Sequence, residues 1–200
     1  MTGVFGRLGT VFDFLVKLSY LNVLCLFYSL LGGFFLGIFP AMAAAMTVLP
    51  GVCRNEDLKI GTEFKKAAIL HFKKANQLGW LFSILLFILY VDFGFFRSFG
   101  SIAALAASYV CFILMAVLFF SLLFAIPLLV NYGGSVISCL KNSIKLTLGF
   151  PLLTLSAAIC LSAALLLFLA APGLLPMLAF SLPFCAIQFL CSRQFRKLAS

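Results

Sequence analysis

The sequence predicts an all-α integral membrane protein: a polytopic helical bundle of 5–6 membrane segments, arranged as three hairpins, with one basic amphipathic interfacial helix. Three observations carry that expectation. Of 200 residues, 64% are hydrophobic and only 10% charged, whereas soluble domains are about half apolar and about a quarter charged. The apolar residues fall into long uncharged runs with the charged residues in short segments between them. The basic excess, a formal charge of +9, collects on alternate connections, as it does in multi-pass chains whose cytoplasmic loops are rich in Lys and Arg.

Residues 3–17 (GVFGRLGTVFDFLVK) place Val4, Leu8, Val11, Phe12 and Leu15 on one helical face and Arg7, Asp13 and Lys17 elsewhere. That pattern reads as an interfacial N-terminal helix over residues 1–17, or else as the start of the first span. Residues 18–52 then run for 35 residues without a charge. One crossing needs about 20 helical residues and two need about 34 to 40, so the run is too long for one and tight for two. Pro40 lacks a backbone donor and predicts a kink or break there. The reading is a kinked membrane hairpin: a helix over 19–38, then a shorter or re-entrant helix through AMAAAMTVL, stopped by Pro50 and Gly51. Gly32, Gly33, Ala41 and Ala43 to Ala45 are small enough for close helix approach.

Residues 53–77 form the basic segment, with Arg54, Lys59, Lys65, Lys66, Lys73 and Lys74 against Glu56, Asp57 and Glu63. Asn55 is a good N-cap before two acids, and Thr62 with Glu63 offers a second start. Phe64, Ala67, Ala68, His71, Phe72 and Ala75 recur at three- and four-residue spacing, which predicts a basic amphipathic helix lying on the cytoplasmic leaflet. Four further transmembrane helices are expected within 78–192, over 78–96, 102–130, 146–170 and 174–190, followed by a basic cytoplasmic tail at 193–200. Asp92 and Arg97 close the first of these, Pro127 lies near the end of the second and Pro151 in the first turn of the third.

Charge tests this topology. With both termini, the basic segment and residues 131–145 inside, thirteen of the fourteen Lys and Arg residues are cytoplasmic and only Arg97 is outside. If residues 18–52 cross once, Arg7 and Lys17 join Arg97 outside, so five spans is the alternative.

Chemistry-bearing residues are few. The seven cysteines form no CxxC pair, His71 is the single histidine, and the five acids make no acid–base pair with a nucleophile motif. The expectation is therefore no enzyme, no cofactor and no metal site. The candidate residues are the motif Gly37, Pro40, Ala41 and Ala44, the head-group contacts Lys65, Lys66, Lys73 and Lys74, and Asp92 as a polar residue at membrane depth.

The segment GIFPAMAAAMTVL, followed by EFKKAAILHFKKANQLGWL and ILYVDFGFF, resembles the YesL family of bacterial integral membrane proteins. The match rests on Gly37, Pro40, Ala41 and Ala44, then Phe64, Phe72, Lys73 and Lys74, with Lys141-Asn142 similar to a second basic element. The resemblance implies a multi-pass protein of the bacterial plasma membrane, and the charge count places its C-terminus and, in the three-hairpin form, its N-terminus in the cytoplasm. It also implies a link to carbohydrate utilisation. The function expected is an accessory component of a carbohydrate uptake system of the ABC transporter type, with anionic lipid and that membrane complex as partners and no nucleic acid. The alternative is an autonomous small-solute transporter or channel, for which Asn22, Asp92, Asn131 and Gln188 supply scattered polar groups. The chain has no GxxxxGK[ST] phosphate loop to power transport itself.

Overall fold

A computed structural model describes residues 4–54, 56 and 58–170, which form six α-helices and no strand. These are α1 (Val4–Leu31), α2 (Ile38–Cys53), α3 (Ile60–Ser98), α4 (Ile102–Tyr132), α5 (Val136–Gly149) and α6 (Pro151–Ala170). Three of them, α1 through its segment Phe12–Leu31, α3 and α4, are long and apolar enough to cross a membrane. Taken together, α5 and α6 could make a fourth. The expected span at 174–190, the turn before it and the basic tail lie outside the described residues.

The contacts divide the chain into two units. One takes the residues up to Lys73 together with those from Ser156 onward; the other is Lys74–Leu155.

In the first unit α1 runs unbroken for 28 residues, about 42 Å, so residues 4–17 continue directly into the first span. Its end is set by glycine. Gly33 adopts a left-handed φ of +65°, its N–H bonds Leu30 O at 2.9 Å, and the N–H of Phe34 bonds Ser29 O at 2.8 Å. This pair of bonds is the Schellman arrangement, in which a residue without a Cβ takes the position after the cap.

The hairpin expected at Pro40 therefore turns earlier, over residues 32–37. Pro40 sits in the first turn of α2, where a missing N–H has no intrahelical partner to lose. Nor does Pro50 stop α2, which continues through it to Cys53. The last turn is held by burial of Val48, Leu49, Gly51 and Val52, and Arg54 N–H closes onto Pro50 O at 3.1 Å. At 16 residues, or about 24 Å, α2 is shorter than the roughly 30 Å hydrocarbon core. Gly37 lies against the carbonyls of Ser29 and Tyr28, and Cys25 Sγ donates to Ala41 O at 3.4 Å. The two contacts are symmetric about Gly33, so α2 runs back along α1.

The basic segment is not a separate helix. It opens α3, which runs unbroken for 39 residues from Ile60 to Ser98, so no second start occurs at Thr62. Asn55 and Asp57 lie outside the described residues. Of the residues that spacing places on one face, Phe64, Ala67, Ala68 and Ala75 are buried, whereas His71 is half-buried and Phe72 is 47% exposed. Within the first unit the partner of that face is protein, with the Phe64 ring 5.2 Å from that of Tyr28 and Gly61 beneath the Tyr20 hydroxyl.

In the second unit α4 continues through Pro127 to Tyr132. Gly133 and Gly134, with φ of +64° and +92°, turn the chain, and Ser135 caps α5 by accepting from Ser138 N–H at 3.2 Å. A buried hydrogen bond, Ser121 Oγ to Thr147 Oγ1 at 3.0 Å, joins α4 to α5. The helix expected from residue 146 starts instead at Pro151, because Phe150 leaves the helical region at φ −125° and ψ 71°, as residues before proline do.

Candidate functional site: a small-residue groove against the first hairpin

The four motif residues are packing residues. Gly37 is the N-cap of α2, and a Cβ there would run into the backbone of Ser29 and Tyr28. Gly32 faces it the same way, since a Cβ would strike Gly37 Cα. Pro40 is buried, Ala41 is 1% exposed and Ala44 fully buried.

Three of the four also open a cavity. Because Gly32 and Gly37 in the turn, Pro40 and Ala41 on α2 and Ala68 on α3 are short, the helices leave a groove of about 470 Å³ between them. Its remaining walls are Tyr28, Leu31, Ile69 and Phe72. Tyr28 is the one lining residue with a polar side-chain atom, so the surface offered is almost wholly hydrocarbon. Ile69 and Phe72, 67% and 47% exposed, stand at its edge. Ala44 lies further along α2 and does not reach it.

A second cavity, of about 380 Å³, lies at the other end of α2, between Thr47, Pro50, Gly51 and the start of α3. Its charged wall is self-paired. Arg54 meets Glu56 at 3.6 Å and Lys66 meets Glu63 at 2.8 Å, so the cations there already have counter-charges. Gly51 lets this corner close, with Leu58 and Glu56 folded over it and Glu56 N–H bonded to Gly51 O at 3.1 Å.

The predicted head-group lysines divide between these settings. Lys65, Lys66 and Lys73 are exposed on the part of α3 that belongs to the first unit. Lys74 is in the second unit and donates to Gly134 O at 3.1 Å, which ties the start of that unit to its α4–α5 turn. Asp92 also belongs to the second unit and is half-buried on α3. Its expected neighbour Arg97 lies over the Phe93 ring, 5.7 Å from the centroid, and among the described residues no ion pair joins the two. Sequence reasoning missed Tyr28, Leu31 and Ile69 as groove walls. The doubled Gly32-Gly33 after an apolar run was the available signal, since glycine past a helix end marks a C-cap.

All nine groove residues fall in the part of the chain that matches a family model. Residues 18–93 match a family described as "Protein of unknown function, DUF624". The DUF624 match covers most of the first span, α2 and most of α3, and so includes the groove, the second cavity and Asp92. Over nearly its full length the chain is similar to the uncharacterized protein YesV of Bacillus subtilis (strain 168), at 29% identity over 184 residues, 91% of this chain and 88% of the relative. It is similar to a like degree to the uncharacterized protein YteU of the same organism, at 29% over 183 residues, 90% of this chain and 81% of the relative. No solved structure matches the chain significantly.

Proposed function

We propose that the chain is a YesL-like accessory protein of the bacterial plasma membrane that associates with another membrane complex, with a carbohydrate-uptake ABC transporter as the partner class. One observation supports this above the rest. Gly37, Pro40, Ala41 and Ala44, which carry the resemblance, are buried in the first hairpin, while Lys65, Lys66 and Lys73 are exposed beside it. Residues so disposed build a scaffold and leave charge and apolar surface for contact with others. On this reading the chain has no catalytic role, and any ATP-driven step belongs to the partner, which would supply the phosphate loop absent here.

Crosslinking and affinity purification of the full chain from native membranes, with mass spectrometry of what accompanies it, tests this. A transporter subunit recovered in stoichiometric amount supports the accessory reading. Recovery of the chain alone, or with copies of itself, contradicts it.

A second reading, an autonomous small-solute transporter, is favoured by Asn22, a polar side chain only 1% exposed within the first span. It is also favoured by Pro50 inside α2, which deprives the Met46 carbonyl of its usual helical donor. Unchanged uptake by Asp92→Asn in a reconstituted flux assay would count against it.

A further inference from the structure

The apolar groove has a charged margin that the exposed apolar surface of α4 lacks. Ile69, at its edge, has Lys65 one turn before it and Lys73 one turn after it, so all three share one face of α3. Both lysines are exposed, and neither takes part in an ion pair among the described residues, whereas Lys66 is held by Glu63. By contrast α4 exposes Tyr109, Val110, Phe112 and Ile113 on a helix that carries no charged residue at all. Lipid against α4 would meet an uncharged helix surface.

We propose that the groove is a site for one anionic phospholipid, with an acyl chain lying between α1, α2 and α3 and the head group held by Lys65 and Lys73. The volume of about 470 Å³ falls in the range of pockets that bury a single small ligand. The lining excludes a polar ligand, because only Tyr28 carries a polar side-chain atom. The two lysines, about 12 Å apart along the helix at 1.5 Å per residue, bracket the mouth and call for negative charge just outside it. An apolar chain joined to an anionic head, available throughout a bilayer, meets both requirements at once. Gly37, Pro40 and Ala41 thereby gain a second role, since the smallness that lets α2 lie against α1 also makes room for the chain.

The site predicts selectivity by head group. With cations near a membrane surface each favouring anionic lipid, the preference for an anionic over a zwitterionic head group should be on the order of tenfold. The test uses the full chain in nanodiscs of phosphatidylcholine containing a minor fraction of phosphatidylglycerol with a photoactivatable group in its acyl chain. Adducts are mapped by mass spectrometry. The expected result is labelling concentrated on peptides containing Leu31, Ile69 and Phe72, with a matched phosphatidylcholine probe labelling them about tenfold less. Lys65→Gln with Lys73→Gln should lower the phosphatidylglycerol labelling to that level. Ile69→Trp, a change at an exposed position that fills the mouth, should lower it while leaving adducts on α4 unchanged. Labelling spread evenly over the apolar helices, or indifferent to head group and to both variants, would overturn the proposal. So would crosslinking of the groove peptides in native membranes to a helix of another protein in place of lipid.

Discussion

Gly37 lies directly on the backbone of Ser29, with no side chain between the two helices of the hairpin. The contact fixes how close α2 comes to α1, and with it the hydrogen bond from Cys25 to Ala41 one turn further along. Adding one methyl group there forces backbone to move, and overpacking of this kind destabilises by about 1–3 kcal/mol. Gly37→Ala should therefore lower the unfolding midpoint in detergent markedly, and Gly32→Ala similarly. Gly94, which has open space around its Cβ position, is the control, and Gly94→Ala should be neutral or slightly stabilising.

The turn that joins the two helices carries strain at Phe34, which has a left-handed φ of +64° and is more than half exposed. The N–H of Phe35 reaches back to Gly33 O at 2.7 Å, so Phe34 occupies the centre of a γ-turn. Left-handed backbone costs an ordinary residue about 1–2 kcal/mol. Phe34→Gly should thus stabilise the hairpin or leave it unchanged, whereas Gly33→Val should destabilise it. Thermal unfolding of the two variants in the same detergent would show the opposite signs.

Pro40 starts α2 rather than bending it, so Pro40→Ala should shift stability by less than about 1 kcal/mol. Spin labels placed on α1 and α2 should report the same interhelical distance in variant and parent. A large change in that distance would return Pro40 to the role of a hinge.

The buried Ser121–Thr147 bond is the polar link between α4 and α5. Hydrogen bonds between membrane helices contribute about 0.6 kcal/mol on average. A double-mutant cycle of Ser121→Ala and Thr147→Val should give a coupling energy of that order, against a value near zero for Ser121 paired with Ser101, the N-cap of the same helix about 30 Å away.

These elements differ in how far the sequence revealed them. The length of an apolar run is set by bilayer thickness, so α1, α3 and α4 could be read from composition alone, and the register of Phe64, Ala67, Ala68 and Ala75 followed from helical spacing. What covers that face did not follow, because lipid and another helix both select for apolar side chains. Proline points to a break at residue 40, yet a proline in a first turn breaks nothing, and the Gly32-Gly33 pair marks the turn. In reverse, Leu146 reads as the start of a helix, yet Phe150 before Pro151 is the better marker. The groove was illegible for another reason. Its floor is made of residues whose contribution is the volume they leave empty, and its walls come from three helices whose juxtaposition only the folded hairpin defines.

The start of α3 docks on the first hairpin, and the Tyr28–Phe64 contact at 5.2 Å is the most direct expression of that packing. Tyr28→Cys and Phe64→Cys, introduced together in a background with the seven native cysteines replaced, would be treated in native membranes with a short bifunctional thiol reagent. Rapid intramolecular crosslinking of this pair is expected, and none for a control pair of Tyr28→Cys with Leu70→Cys, a position 74% exposed. An uncrosslinked Phe64→Cys that instead reacts freely with a lipid-soluble maleimide would contradict that packing.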